Sequence, residues 1–297
     1  MTPTKTAVAA ARAAMRTAAR LGVACAEPVV LADGANVIVH LSPSPVVAKV
    51  AASTPAVRPD SAAWLQRELD VTAFLAARGA PVVPPSPELP ATTHSGHGHV
   101  MSFWRYQPPV NPDGPPPRAG EQTIGSMLRD LHAVLRGYPR PLPVLASLQD
   151  IPAYLARPQT RLDAGQKAAL AAAYARLTAE LDPAAAAQPL HGDAGAGNLM
   201  ATGQGWLWHD FEDTCSGPVA WDLAASTASR YQDGPRVLAA YQDPVDPGQL
   251  AVCEQLRRLH LTVWYCLYAE RLPGLEPRAA ELVAGWPPAE AAPAASR

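Results

Sequence analysis

The sequence predicts an α+β protein of two lobes, β-rich over its first third and mainly helical over the remainder. Three observations carry this expectation. Two β-branched runs, Val37–Leu41 and Val46–Val50, flank Ser42-Pro-Ser-Pro45 in the pattern of a hairpin. Apolar residues then recur at helical spacing, as Ile124, Leu128, Leu131 and Leu135, and again as Leu170, Tyr174, Leu177 and Leu181. Between the two regimes lies Asn111-Pro-Asp-Gly-Pro-Pro-Pro117, a stiff polar link. It marks the lobe boundary, giving an N-terminal lobe over 1–107, a helical C-terminal lobe over 108–286 and a frayed tail over 287–297.

Each element follows in order. Residues 1–26 carry Lys5, Arg12, Arg16 and Arg20 with no acid, which superficially suggests a transit peptide. The near four-residue spacing instead predicts one charged face of an Ala-rich helix. A strand near Val29–Leu31 leads through the turn Ala32-Asp-Gly-Ala-Asn36 into the hairpin. A helix over 61–78 is opened by Asp60 or Ser61 and stopped by Gly79, with Pro81 beyond. His99–Tyr106 is a strand entered through the turn His94-Ser-Gly-His-Gly98, and that turn, rather than a metal site, accounts for the His94, His97 and His99 cluster. A short strand pair follows around 188–212, and helices cover most of 219–283.

Composition narrows the function. Of 297 residues 48% are apolar and 17% charged, so a sizeable core can form and wholesale disorder is excluded. No apolar run reaches the roughly 18 residues of a membrane helix. With 24 basic against 26 acidic residues, a globally basic surface for nucleic acid is disfavoured. Cys25, Cys215, Cys253 and Cys266 form no C-x-x-C pair and read as reduced thiols. A cytoplasmic protein without nucleic-acid or membrane partners is expected. Lysine occurs only as Lys5, Lys49 and Lys167, and asparagine only as Asn36, Asn111 and Asn198, so each position is informative.

No P-loop, no G-x-G-x-x-G after a strand and no G-x-S-x-G elbow occurs. The chemistry is written in His191-Gly-Asp-Ala-Gly-Ala-Gly-Asn-Leu-Met200 and Trp206-Leu-Trp-His-Asp-Phe-Glu212. Asp193 and Asn198 stand five residues apart across a glycine-laced loop, and Asp210 ends an apolar strand close to Glu212. Two carboxylates, an amide oxygen and substrate phosphates are what a hard divalent cation such as Mg²⁺ takes.

These residues resemble the aminoglycoside phosphotransferase and choline kinase family, small-molecule relatives of protein kinases. The pattern is H-G-D-x-x-x-x-N, then D-x-[DE] at a strand end, then Trp221-Asp-Leu-Ala224, with Leu131-His132 upstream. Lys49 sits in Val46-Val-Ala-Lys-Val50 as the kinase strand lysine would, and Glu68 interrupts an apolar helix face formed by Leu65, Leu69, Thr72 and Leu75. A buried Lys49–Glu68 pair explains both oddities; a snorkelling Lys49 is the plainer alternative.

The resemblance implies a two-lobed protein-kinase-like fold and ATP- or GTP-dependent transfer of the γ-phosphoryl group to a small-molecule hydroxyl. Lys49, held by Glu68, would bind the α/β-phosphates, and Asn198 and Asp210, with Glu212, would hold Mg²⁺. Asp193 would accept the acceptor proton, while His191 and Asp222 support the loop, Asp222 otherwise being a helix cap. Gly34 and Asn36 belong to a reduced phosphate loop, and Trp104 and Tyr106 to the hinge against which adenine would rest through backbone hydrogen bonds.

A protein kinase is excluded by spacing, because only twelve residues separate Asp210 from Asp222, too few for a peptide-binding activation segment. The remaining alternatives are a non-catalytic pseudokinase and a metabolite kinase of choline, sugar or homoserine type. An antibiotic hydroxyl is the leading acceptor. The mixture of acids and arginines over the last helices favours an acceptor of low or mixed charge. Trp264, Tyr265 and Tyr268 fit either core or acceptor pocket.

Overall fold

The computed structural model describes residues 3–111, 114–184 and 187–286. The Asn111–Pro117 link therefore falls partly, and the 287–297 tail wholly, outside the described residues.

The first part is a five-stranded antiparallel sheet in the order β1-β2-β3-β5-β4. Its strands are β1 (Cys25–Asp33), β2 (Asn36–Pro43), β3 (Val46–Ala51), β4 (His94–Gly96) and β5 (His99–Arg105). Strand periodicity assigns the two faces. Val46, Ala48 and Val50 of β3 join a core with Val37, Val39, Leu41, Met101 and Phe103 beneath α1 (Lys5–Arg20). That helix meets the sheet through Ala7, Ala10, Ala14 and Ala18, all fully buried, and Arg12, Arg16 and Arg20 are exposed, as the spacing predicts, Arg20 reaching the sheet edge at Gly96. Alanine is the side chain that lets a helix axis lie this close.

Val47 and Lys49 occupy the opposite face, where Val47 packs with Leu69 of α2 (Ser61–Ala76) and Trp104 of β5. Alternation along one strand thus sends the valines into the core and the lysine towards α2. Asp60 caps α2 by accepting from the Ala63 N–H. The expected turn at 94–98 is tighter than the sequence suggests, with His94–Gly96 forming β4 and His97-Gly98 alone turning the chain at positive φ.

The rest is helical, with α3 (Glu121–Leu135), α4 (Asp150–Leu155), α5 (Ala164–Glu180), α6 (Val219–Thr227), α7 (Gly234–Tyr241), α8 (Pro247–Ala269) and α9 (Glu276–Ala284). Two small antiparallel ribbons interrupt it, β6 (Gln188–Leu190) with β9 (Cys215–Gly217), and β7 (Leu199–Thr202) with β8 (Gly205–Trp208). The mixed α+β class and the β-then-α order follow the expectation. Helix α4 has only six residues, too few for a periodic signal. One core gathers Ile124, Leu128, Leu131, Trp208 and Phe211. A second gathers Tyr154, Leu170, Trp221, Leu256 and Leu259. The loops between these cores hold the polar residues described next. Among the described residues no helix is long and apolar enough to cross a membrane, and all four cysteines are free.

Candidate active site

The ribbon β7–β8 brings the two halves of the informative stretch together. His209 N–H donates to the Asn198 carbonyl at 3.0 Å, so Asn198 lies beside Asp210. Asp210 itself turns the chain in the left-handed region, with φ 63°, before a short 3₁₀ turn over Phe211–Asp213.

Lys49 is 4% exposed and points into this junction. Its ammonium lies 2.8 Å from Glu68, 2.5 Å from Asp210 and 3.1 Å from Glu212. The paired reading of Lys49 therefore holds and the snorkelling one does not. Burial alone would lower the Lys49 ammonium, but Asp210, Glu68 and Glu212 outweigh it and hold it well above its ordinary value. For Asp210, too, desolvation favours the neutral acid; the adjacent Lys49 prevails and brings the carboxyl down to about 2. Burial pushes Glu68 up, against the pull of Lys49.

Asp193 sits with its side chain 48% exposed at the opening of the cleft. Asn198 Nδ2 donates to Asp193 Oδ2 at 2.9 Å and to its backbone carbonyl at 2.7 Å. The loop beneath is fixed by Asp222, fully buried at the start of α6. Asp222 accepts from the His191 and Gly192 N–H groups, each at 2.8 Å, and from His132 Nε2 at 2.9 Å. It braces the loop that begins at His191 and caps no helix. Although desolvation opposes it, the His132 hydrogen bond keeps Asp222 ionised below the usual range.

His191 is structural by its bonding. Its Nδ1 accepts from the Asp193 N–H at 3.3 Å, so Nε2 carries the proton donated to the His209 carbonyl at 3.1 Å. Both nitrogens are thus engaged by backbone, and burial lowers the ring's pKa. Gly192 is required on two counts. Its φ is +90°, and a Cβ there would stand 1.8 Å from the Asp213 carbonyl oxygen.

Two expected roles meet different partners. Glu212 is 5% exposed, and cations and an amide take both its oxygens. Arg58 reaches Oε1 at 2.9 Å, while Lys49 and the Asn36 amide reach Oε2 at 3.1 and 2.6 Å. In this arrangement Glu212 is shared by Lys49, Arg58 and Asn36, and the Asn36 amide, whose oxygen accepts from Thr54, anchors it. Glu68, Asp210 and Glu212 do lie close enough to share an ion, but Lys49 occupies the space among them. Of the expected metal ligands, Asp210 faces the cleft, with its side chain 45% exposed. The Asn198 amide oxygen beside it takes no hydrogen bond among the described residues. That hard oxygen set fits Mg²⁺.

At the hinge, Trp104 Nε1 donates to Ser102 and Tyr106 stacks on His40 at 3.7 Å between ring centroids. The Arg105 and Tyr106 N–H groups donate to the Pro84 and Pro45 carbonyls. Within the expected hinge of Trp104 to Gln107 those two N–H groups are engaged, while the Gln107 N–H has no partner among the described residues and Gln107 lines the cavity beside it.

Sequence reasoning missed Arg58. This guanidinium, 3% exposed, crosses from the loop before α2 to Asp150 at 2.6 Å, Glu212 at 2.9 Å and Asp213 at 2.7 Å. Asp150 also accepts from His260 and Trp264. A single arginine in a proline-bearing loop gives no periodic or motif signal. The role of Arg257 was missed as well, since an arginine at a helix position does not announce its partner. It donates to Asp193 Oδ1 at 3.2 Å and to the Gly192 carbonyl.

Two cavities meet at these residues. One, of about 460 Å³, runs between the sheet and β7 and is walled by Ile38, Val47, Trp104, Tyr106 and Met200, with Lys49 and Asp210 at its inner end and Gly34 on its rim. The other, of about 500 Å³, is lined by Asp193, Arg58 and the aromatics Trp264, Tyr265 and Tyr268 of α8. They share Ala35, Asn36, Asp210 and Tyr268. The first cavity is thus mainly apolar with a cation and a carboxylate on its lining, and the second meets it at Asp210.

A family model described as "Phosphotransferase enzyme family" matches residues 31–251. No curated protein matches the sequence in a direct search. Among solved structures, the aminoglycoside-3'-phosphotransferase of type VIII superposes with a TM-score of 0.61 at 18% identity, over 82% of this chain and 98% of that one. The choline kinase LicA from Streptococcus pneumoniae gives 0.60 at 13% identity, over 93% and 99%. The amicoumacin kinase hAmiN, in complex with AMP-PNP, Ca²⁺ and Ami, gives 0.59 at 13% identity, over 88% and 89%. At these identities the likeness concerns the fold, that of protein-kinase-like small-molecule kinases.

Proposed function

Because the chain belongs to the phosphotransferase enzyme family, we propose that it transfers the γ-phosphoryl group of ATP to a hydroxyl of a small molecule, with Asp193 as proton acceptor. The observation that carries this reading is the junction of the two cavities at Asp210, which lines both, with Asp193 on the wall of the second, each side chain about half exposed.

The roles follow from what each side chain can do. Lys49, kept charged by three carboxylates, offers its ammonium to the phosphates at the inner end of the first cavity. Asp210 and Asn198 would hold Mg²⁺, which when bound neutralises phosphate charge. An acceptor hydroxyl in the second cavity loses its proton to Asp193. Its oxygen bonds to Pγ as the bond from Pγ to the bridging oxygen breaks, and ADP leaves. Little covalent chemistry falls to the protein, so rigid positioning of the loop by Asp222, His191 and Arg257 is its main contribution. An antibiotic hydroxyl remains the leading acceptor, as in the aminoglycoside and amicoumacin kinases of the same fold.

The test is ADP release with Mg·ATP over a panel of hydroxylated antibiotics and metabolites, with product identified by mass. Phosphorylated acceptor formed by the native protein and not by Asp193→Asn supports the reading. ATP binding without transfer to any of them would return the chain to the pseudokinase alternative.

A further inference from the structure

The charges lining the acceptor chamber are not evenly committed. Every carboxylate on its wall is matched by a buried cation: Asp210 by Lys49, Glu212 by Lys49 and Arg58, Asp213 by Arg58, and Asp193 by Arg257. The arginines on the outer part of the same wall are not so matched. Arg230 follows α6, Arg258 lies on the exposed face of α8, and Arg278 lies on α9. Among the described residues Arg230 bonds the Tyr231 hydroxyl and Arg258 the Gly285 carbonyl, neither of them a carboxylate. Arg278 pairs with Glu281, which is 63% exposed. Three guanidinia thus face one solvated acid. Helical spacing sets this arrangement: Arg257, His260 and Trp264 turn inward, while Arg258, Leu261 and Tyr265 form the neighbouring stripe towards α9.

We propose that the acceptor is an anion: a hydroxylated molecule with an aromatic or apolar body and a carboxylate or phosphate group, which Arg230, Arg258 and Arg278 receive at the outer wall. The inference rests on the phosphotransferase reading and names the acceptor class. Guanidinium forks match the planar oxygens of carboxylate and the oxygens of phosphate, so they supply register as well as charge. The same cavity is lined by Trp264, Tyr265, Tyr268 and Leu261, the last 44% exposed, which suits a ring or a short apolar chain. A polycation would meet the same three arginines and find no uncommitted carboxylate, because freeing one costs a buried ion pair. The anionic group thus anchors one end while the hydroxyl reaches Asp193 at the other.

The test uses matched series of hydroxyaryl and hydroxyalkyl compounds bearing a carboxylate, a phosphate monoester, a neutral methyl ester or a primary amine, with Mg·ATP affinity measured separately. The expected result is kcat/KM at least tenfold higher for an anionic member than for its ester and amine partners, with KM for that member rising as salt is added. The carboxylate and phosphate arms separate the two sources of charge. Arg258→Gln with Arg278→Gln should raise KM for the anion at least tenfold, leave kcat within a few fold, and leave the ester's KM unmoved. Preference for the ester or amine, or no turnover of any anionic member by protein that binds Mg·ATP and phosphorylates a neutral or cationic acceptor, overturns the anionic assignment and leaves the transfer reading standing. Binding Mg·ATP with transfer to no acceptor, or failing to bind it, defeats both.

Discussion

The guanidinium of Arg257, anchored on α8, lies 3.2 Å from Asp193 Oδ1 and also donates to the Gly192 carbonyl. The residue proposed to take the acceptor proton is therefore held by a cation from the helix that lines the second cavity. Asn198 on Oδ2 completes the hold, so both carboxylate oxygens are oriented before substrate arrives.

Asp193→Asn keeps the size but removes the base and one of the two acceptor oxygens, so its amide can accept from Arg257 or from Asn198 but not from both. Turnover should fall by about 10²–10⁴-fold, with Mg·ATP affinity within a few fold, because Lys49 and Asp210 pair with each other and not with Asp193. Steady-state kinetics with a nucleotide titration checks it; collapse of nucleotide binding with surviving turnover would reverse the assignment.

Lys49→Met leaves Glu68, Asp210 and Glu212 facing one another. Nucleotide KM should rise and turnover fall, and the fold should lose about 3–5 kcal/mol from the uncompensated buried charge. Adding Glu68→Gln should return part of the stability and none of the activity, while Glu68→Gln alone should show a milder kinetic defect. Denaturant melts on the three variants distinguish a buried pair from a peripheral lysine.

Gly192→Ala puts a methyl 1.8 Å from the Asp213 carbonyl oxygen at a φ of +90°. Backbone strain alone costs about 1–3 kcal/mol, and relieving the clash must move the loop that carries Asp193. Thermal melting should drop markedly and turnover with it; a protein of unchanged stability and rate would contradict the loop geometry.

Asp213 governs an acid-range dependence. Burial pushes its carboxyl from an ordinary 3.8 up to about 6, against Arg58. Arg58 lies 2.7 Å away, yet Oδ1 accepts no aligned hydrogen bond. The folded chain then binds a proton that the unfolded chain has released, so this contribution is full below about pH 4 and is lost as pH rises towards 6. Relative to Asp213→Asn, the native protein should lose on the order of 3 kcal/mol across that window and change little above it. Parallel denaturant melts from pH 4 to 7 read the difference directly.

Much of this site is legible from residue order because its parts are local. Asp193 and Asn198 are tied by a five-residue loop, Asp210 by the strand that precedes it, and Lys49 by strand alternation that turns it away from the valines beside it. Glu68 is legible for a related reason, since a carboxylate on an apolar helix stripe demands a cation.

Periodicity and spacing by themselves determined the β-then-α order, the helix stripes and the chemistry-bearing loop, all set by interactions within a few residues. Only the tertiary structure decided that Glu212 is spent on Lys49, Arg58 and Asn36, that Arg58 joins the sheet side to Asp150, and that Arg257 holds Asp193. Those pairings span 64 to 176 positions in the chain. A charge fixes that it needs a partner when buried, but which of 26 acids meets it depends on how the helices pack. The same packing, by turning one stripe of α8 inward and the next outward, left Arg258 facing solvent where Arg257 is buried.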